Sequence, residues 1–599
     1  MLPEKKDDMG NLIKTLVVDL GATTVRMDQL DSDGMFGLGG KALGVRLFET
    51  YLDPKADPLS PANMVAIAPS PLAAYAFPGS NRLAAFSKSP LTGIWLEAYV
   101  GGSISRTLRE TGWGAVVVTG AARKPVRLHI TAEGAELLAA DELWGLDSFE
   151  TERLLLGKLD KRSGVLSIGP AGENQVRTAS VMHEEAHAFG RGGLGAVFGS
   201  KMLKAITVSS AGPVKSGASE AFAAVRLEVS KLAASSPTGE KYRTYGTPMM
   251  VAIMDDAKAF PSGFFESGCT PNRATLEAEG WGKWAVVEND TCAPCPMGCR
   301  KKLTLTTGLD SGLKLHGPEY ETLYSFGGSC MVRHARDIAR LNERCNRLGM
   351  DSISTGNLVA LAMKAKEEGK LARAGYSTSD IGAVPDPGEV PAIAAMLEAI
   401  ARRSTRLGKL LSEGMDAAAS ELGMSDAVIT SKGLDPAGYE PRRMKGMALS
   451  YALSPRGACH LRSTFYKAEL TGALNGLDTE AIVSTYIDWE DRLLLADSLI
   501  LCRFYRDFMS WERLSACVSQ LAGFSVGREQ LQELSKDILT RIRRLNFTMG
   551  LSSADDTLAP RFFKEATDSA PALDRSELEE QISTYWVRRG WGVEGVPPM

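Results

Sequence analysis

In the first two hundred or so residues the apolar positions fall in short β-branched runs, at 16–19, 115–119, 126–130 and 205–209, each bounded by Gly, Pro or Asp. Runs of that length with turn residues at both ends predict strands. Their irregular spacing predicts sheets packed on sheets, not repeated strand–helix–strand units. Beyond about residue 213 the period changes. Segments 220–233, 336–348 and 392–407 carry apolar residues three and four apart, the period of a helix with one buried face. In the second of these Ile338, Leu341, Cys345 and Leu348 share a face, and Gly349 follows as the expected C-cap. The Pro-rich stretch 384–391 predicts an internal loop, and a further helix-rich portion begins near Gly433. The predicted class is α+β: a β-rich, sheet-on-sheet domain over 1–212, then two mainly helical domains over 213–432 and 433–599.

Composition narrows the function classes. The chain has 599 residues, 68 basic against 72 acidic, for a net charge of −4. Such a balance does not suit a protein built mainly to neutralise nucleic-acid phosphates or an anionic membrane. No apolar run approaches the roughly eighteen residues that span a bilayer. The first eleven residues, MLPEKKDDMGN, are charged where a signal peptide is apolar, so the expected location is the cytoplasm. Nine cysteines are too few for a disulfide framework; closely spaced ones in that compartment point to metal. Six histidines make a histidine-rich metal centre a poor fit.

The sharpest chemical signal is CAPCPMGC at 292–299, with Cys292, Cys295 and Cys299 on a loop tightened by Pro294, Pro296 and Gly298. Three thiolates at that spacing wrap one corner of an iron–sulfur cluster, which needs a fourth ligand. Zinc competes, but a Cys₄ zinc site usually shows two CxxC pairs, and no second pair exists here. Spacing alone leaves the fourth ligand open among Cys269, Cys330, Cys345, Cys459, Cys502 and Cys517, most of which are packing thiols.

Three glycine-rich segments allow close backbone approach to an anion: GLGGKALG at 37–44 with Lys41, the pair Gly101-Gly102, and GRGGLGAVFG at 190–199 with Arg191. None is a P-loop. Gly193, Gly195 and Gly199 imitate a dinucleotide fingerprint without a clear preceding strand, so a nicotinamide site is not expected. Tight turns are the competing reading for each segment.

In order and spacing these segments resemble the tungsten-containing aldehyde:ferredoxin oxidoreductase family nearly end to end. The resemblance is carried by GGKALG (39–44), PGSNR (78–82), SKSPLTG (87–93), IGPAGEN (168–174), 190–204, the cysteine loop, GPEYET (317–322), 348–356, RGACHLR (456–462) and 497–502. It implies a β-rich domain followed by two helical ones. It also implies tungsten, rather than molybdenum, on two pterins whose phosphates share a Mg²⁺, one [4Fe–4S] cluster, a small aldehyde substrate, a ferredoxin or ferredoxin-like iron–sulfur partner, and an oligomer. DSLILC (497–502) is similar to the family's DxxGLC segment, so Asp497 is implied to contact a pterin and Cys502 to complete the cluster. NRLGMD (346–351) corresponds to DxxGLD, placing Asn346 and Asp351 at the other pterin. Arg82 matches a basic residue that contacts pterin phosphate. Gly101 and Gly102, and Arg191, Gly192, Gly193 and Gly195, are implied to bring backbone and charge to the cofactor.

Four departures stand out: Asn346 for a carboxylate, Ile500 for Gly, Tyr99 for an Asn before Val-Gly-Gly, and Arg340 where some homodimeric relatives bind an inter-subunit iron through Glu. That iron is not expected here. The resemblance makes Glu319 or Glu321 the base and His460 the hydrogen-bond donor at the carbonyl, with Glu321 preferred by its place in the motif. In an extended segment Glu319 and Glu321 would point the same way. Two other functions remain open at this stage: the catalytic subunit of a tungsten-dependent aromatic acyl-coenzyme A reductase of the benzoyl-CoA type, and a non-catalytic cluster-bearing electron-transfer subunit.

Overall fold

The computed structural model describes residues 12–214, 216–292 and 295–598; the charged N-terminal stretch and Pro294 lie outside them. β1 (Leu12–Asp19), β2 (Thr24–Asp31), β3 (Val65–Pro69), β4 (Leu83–Lys88), β5 (Trp95–Val100) and β6 (Ala115–Thr119) form one sheet in the order β2-β1-β6-β3-β4-β5. A second sheet, of β7 (Val126–Ile130), β8 (Ala135–Ala139), β9 (Ser163–Ser167), β10 (Val181–His183), β11 (His187–Phe189) and β12 (Leu203–Ser209), runs β11-β10-β9-β12-β7-β8. Among the described strands only β1–β6 and β7–β12 pair in parallel.

The pleat explains why β3 and β4 are buried along their whole length. Val65, Ile67, Leu83 and Ala85 enter an apolar layer shared with Leu128, Leu166, Val181 and Ile206 of the second sheet. Their neighbours Ala66, Ala68, Ala84 and Phe86 face the other way, into the helical core. The helix Gly40–Tyr51 covers this outer face, with the Phe48 ring 4.3 Å from that of Trp95. Sheet-on-sheet packing is thus as predicted, and the first sheet also carries the helical portion on its back.

After residue 213 the chain is mainly helical. The helix Ala335–Leu348 buries Ile338, Leu341, Cys345 and Leu348 and ends on Gly349 at φ +73°, as its pattern predicts. The expected helix 392–407 is two elements, Val390–Ala401 and Arg406–Leu411. Arg403 turns left-handed at φ +49° and Thr405 caps the second, a break that apolar spacing does not register. Pro391 lies inside the first helix's opening turn, not in the predicted loop, because proline's missing N–H costs nothing there. A small third sheet was not foreseen: β13 (Ala285–Asp290), β14 (Arg300–Leu305) and β15 (Lys314–His316). Its first two strands hold the ends of the cysteine loop. Among the described residues no helix is long and apolar enough to cross a membrane.

Candidate active site and thiol cluster

Cys292, Cys295 and Cys299 leave the β13–β14 connection on a tight turn, with the Cys295 N–H donating to the Cys292 carbonyl at 2.6 Å and Gly298 at φ +54°. Cys502 reaches them from the other end of the chain. It follows the helix Thr479–Ser498, and its N–H donates to the Gly79 carbonyl at 2.8 Å. The helix is turned off at Ile500, whose φ of +54° is a left-handed conformation that a β-branched side chain adopts only under strain. Glycine, usual in the family at this position, would adopt it freely.

Burial raises all three loop thiols, Cys295 to about 11, and in each case the charge of Cys502 raises them further. The other cysteines lie elsewhere. Cys517 is raised to about 12 by burial alone, without a neighbouring thiol. Cys330 packs against Cys345 and donates to the Gly356 carbonyl at 3.1 Å. Among the described residues no three His, Cys, Asp or Glu side chains close to single-ion spacing. Cys292, Cys295, Cys299 and Cys502 are nonetheless close enough for each loop thiol to feel the charge of Cys502. Around it, the Cys292 sulfur faces the Gly102 N–H and His187 Nε2, both at 3.4 Å, and the Cys295 sulfur faces the Tyr505 hydroxyl at 3.2 Å. Arg82 lies between this cluster and the first sheet, donating to the Tyr99 carbonyl at 2.8 Å, with its other terminal nitrogen 3.9 Å from the Cys502 sulfur.

Beside the quartet is a buried network of charge. Lys41 Nζ lies 3.0 Å from Glu97 and 3.4 Å from Asp497; Arg462 bridges the same two carboxylates at 2.9 and 2.7 Å; Arg503 donates to Asp497 at 2.6 Å. Burial works against the Glu97 carboxylate, but Arg462 and Lys41 outweigh it and hold the group down at about 2. The Tyr99 hydroxyl donates to Glu97 at 3.0 Å, which gives this departure from the family pattern a structural role. The expectation of an anion site at 37–44 is corrected here. The Lys41 ammonium is held by the chain's own carboxylates, and a Cβ at Gly40 would lie 2.0 Å from the Asp497 carbonyl.

Arg191 is the centre of a second buried network. It reaches Asp351 and Asp435 at 3.2 Å each, and the carbonyls of Asp435 at 2.7 Å and Ala458 at 3.2 Å. Asp351 also caps the helix Ser352–Glu367 through the Ile353 N–H. The glycines after Arg191 serve packing. A Cβ at Gly193 would meet the Arg177 carbonyl at 2.2 Å, one at Gly195 the Ser180 carbonyl at 2.5 Å, and one at Gly192 the Leu96 side chain. A three-residue strand, β11, does precede them, but protein backbone fills the space a dinucleotide phosphate would need at Gly193 and Gly195. Half-buried Asn346 makes no side-chain hydrogen bond among the described residues; its carbonyl accepts from the Ser148 hydroxyl at 2.8 Å. Arg340 pairs with Asp310, away from these networks.

Glu319 and Glu321 do not point the same way. The chain turns helical at Tyr320–Thr322 and continues into a π-helical segment, Leu323–Ser329, so alternation ends at Glu319. Glu319 accepts from the Thr247 hydroxyl, and its charge acts on Cys299 more than any other group's does. Glu321 turns to the opposite end. Its Oε2 accepts from the Gly438 N–H at 2.9 Å and its Oε1 lies 3.4 Å from His460 Nε2. Burial raises Glu321 to about 7. Burial, reinforced by Arg191, Arg456 and Arg462, pushes His460 well below the usual imidazole range, so the ring is neutral. It stacks on Tyr439, centroids 5.6 Å apart, which stacks on Tyr466 at 4.4 Å.

Sequence reasoning missed Glu97 and Asp435, and weighed Cys459 only as a possible fourth cluster ligand. Burial raises Cys459, but Arg456, 3.0 Å from its sulfur, and Arg462 reverse this and bring the thiol to about 6. The available signal was RxxC in RGACHLR.

Residues 15–210 match the family model described as aldehyde ferredoxin oxidoreductase, N-terminal domain, and residues 224–599 match aldehyde ferredoxin oxidoreductase, domains 2 and 3. Tungsten-containing aldehyde ferredoxin oxidoreductases of Pyrococcus furiosus and Thermococcus kodakarensis are each 31% identical, over 98% of this chain and 98% of their own. An aliphatic sulfonate oxidoreductase, WOR-like subunit, of Pyrococcus furiosus is 27% identical over 98% of this chain and 95% of its own. Among solved structures, the active-site complex BamBC of benzoyl coenzyme A reductase with 1,5-dienoyl-CoA has a TM-score of 0.80 at 20% identity, covering 98% of this chain and 95% of that one. The last is a likeness of fold.

Proposed function

Because the chain belongs to the aldehyde ferredoxin oxidoreductase family, we propose that it is a tungsten–pterin oxidoreductase that oxidises an aldehyde to a carboxylic acid and delivers the electrons through a [4Fe–4S] cluster to a ferredoxin or partner iron–sulfur protein. The observation that carries this reading is the buried pair of Glu321 and His460, with Oε1 3.4 Å from Nε2, in a chain that also gathers Cys502 to the loop of Cys292, Cys295 and Cys299.

The residues present fit both groups. Cys292, Cys295, Cys299 and Cys502 offer four mutually interacting thiols in a pocket with N–H and guanidinium donors. Along 456–464, Arg456 Nε, Arg462 Nε, His460 Nδ1 and Thr464 Oγ1 are buried without a partner. Buried polar atoms need partners, and a polar, anionic pterin supplies them. We assign the pterins to the junction of 1–212 with 213–432 and 433–599, where Arg82, Gly101, Gly102, Arg191, Asn346, Asp351 and Asp497 would hold them and Mg²⁺ would offset their phosphate charge.

When bound, the tungsten–pterin group and the cluster supply a two-electron acceptor and a one-electron exit. The balance is one aldehyde and one water giving one acid, two protons and two electrons. Glu321, as carboxylate, takes a proton from water or from the aldehyde hydrate. His460, neutral, donates one N–H to the carbonyl oxygen as negative charge develops there, while its stack on Tyr439 fixes the ring plane.

The test is anaerobic purification followed by elemental analysis and assay. Tungsten, about four irons per chain, and aldehyde-dependent reduction of a viologen but not of NAD are expected. Absence of tungsten, or direct NAD reduction, overturns the reading. Dearomatisation of an aromatic acyl-coenzyme A by a low-potential donor, without aldehyde oxidation, would assign the reductase function instead.

A further inference from the structure

The β10–β11 turn, 183–187, is built at a conformational cost. Glu184 and Glu185 are consecutive non-glycine residues at φ +45° and +58°. Such left-handed pairs persist only where the surroundings enforce them. Here the enforcing group is the buried carboxylate of Glu152, whose two oxygens accept the N–H groups of Glu184 and Glu185, each at 2.9 Å. Glu184 then closes the turn onto 101–103, accepting from the Ser103 N–H at 3.0 Å and lying 3.3 Å from His183 Nε2 and 3.4 Å from His187 Nδ1.

The product of this construction is the position of one ring. His187 is buried, with Nε2 3.4 Å from the Cys292 sulfur. Gly101 and Gly102 make room for it. A Cβ at Gly101 would sit 2.8 Å from the His187 ring and 3.2 Å from the Cys292 sulfur, and one at Gly102 would sit 2.6 Å from both Glu184 and His183. The Gly102 N–H, at 3.4 Å, points at the same sulfur. Of the four thiols, Cys292 therefore faces the Gly102 N–H and a ring nitrogen, His187 Nε2, which donates to it in the tautomer that carries its proton there.

We propose that His187 is a positioning residue for electron transfer: with its proton on Nε2 it donates, beside Gly102, to the Cys292 sulfur and raises the reduction potential of the cluster. The proposal rests on the cluster assignment above. Reduction adds one electron whose charge spreads onto the thiolates, so a donor aimed at sulfur stabilises the reduced form more than the oxidised one. Removing it makes reduction harder without removing a ligand.

The experiment is a redox titration of the cluster, followed by its paramagnetic signal, on the full-length anaerobic protein and on His187→Phe and His187→Gln. Iron content is measured on each. Phenylalanine fills the ring's space without a donor, and glutamine restores one. His187→Phe is expected to keep its iron and to lower the equilibrium constant for reduction about tenfold, a shift of about 59 mV to more negative potential for one electron, with His187→Gln lying between it and wild type. An unchanged potential in His187→Phe overturns the proposal. So does loss of iron in that variant, which would make the ring a requirement of assembly. Wild-type protein without a cluster would instead sink the assignment on which the proposal stands.

Discussion

Glu321 Oε1 lies 3.4 Å from His460 Nε2, yet among the described residues neither that oxygen nor His460 Nδ1 has a hydrogen-bond partner. Two buried polar atoms without partners, on two groups in contact, are what a site that receives a further molecule would present. Burial holds Glu321 at about 7. The proposed base is its carboxylate form, so kcat/KM with aldehyde should rise with pH through about 7 and level off above it. Glu321→Gln should remove that rise and lower turnover by about two to four orders of magnitude. An unchanged rate and profile in Glu321→Gln, with loss in Glu319→Gln, would move the role to Glu319.

His460→Ala should lower turnover by a comparable factor, about 10²–10³, because a donor aimed at developing oxyanion charge is lost. Tungsten and iron contents should match wild type. A metal-depleted variant would make His460 a structural element of the cofactor site.

Cys502→Ala should strip most of the iron and the reduced protein's low-temperature paramagnetic signal. Cys517→Ala should leave both intact, since that thiol is buried within the helix Trp511–Ala522 with no other thiol acting on it. The reverse result would reassign the fourth ligand.

Arg191→Ala should lower the melting temperature at neutral pH, because it leaves Asp351 and Asp435 buried together without their cation; removing one member of such a buried set costs about 3–5 kcal/mol. Burial already raises the Asp351 carboxyl in the folded protein. A group so raised stabilises the fold fully below its unfolded pKa, and that contribution is lost as pH rises through the folded value. The deficit of the variant should therefore shrink as the pH is lowered and the carboxyls protonate. A constant deficit across pH would mean that lost packing, not charge, is responsible.

The β-rich start, the change of period near 213 and the face of Ala335–Leu348 were legible because each depends on local apolar spacing. The break at Arg403 and the opposed directions of Glu319 and Glu321 were not, because single dihedral changes decide them and leave no trace in hydrophobicity. The glycine segments misled for a related reason. A glycine that admits a phosphate and one that admits a carbonyl read identically in sequence, and at Gly40, Gly193 and Gly195 the neighbour is a carbonyl. Cys292, Cys295 and Cys299 were evident from spacing, whereas Cys502 depended on family resemblance. His187 had no signal at all, since its approach to Cys292 requires a turn between two strands too short to be predicted.

The close approach of Gly40 to the Asp497 carbonyl also fixes an order of events in time. The Ala42 N–H donates to the Ser498 hydroxyl across 456 positions of chain. At about 5–20 residues per second of synthesis, that gap is about 23–90 seconds. For most of that interval, once β6 has been made, the outer face of the first sheet and the helix Gly40–Tyr51 stand without the helix Thr479–Ser498 that closes over them. The nascent β-rich portion therefore waits with that face unsealed until Thr479–Ser498 arrives. Whatever is to be sealed between the two ends of the chain has to be delivered before that helix docks.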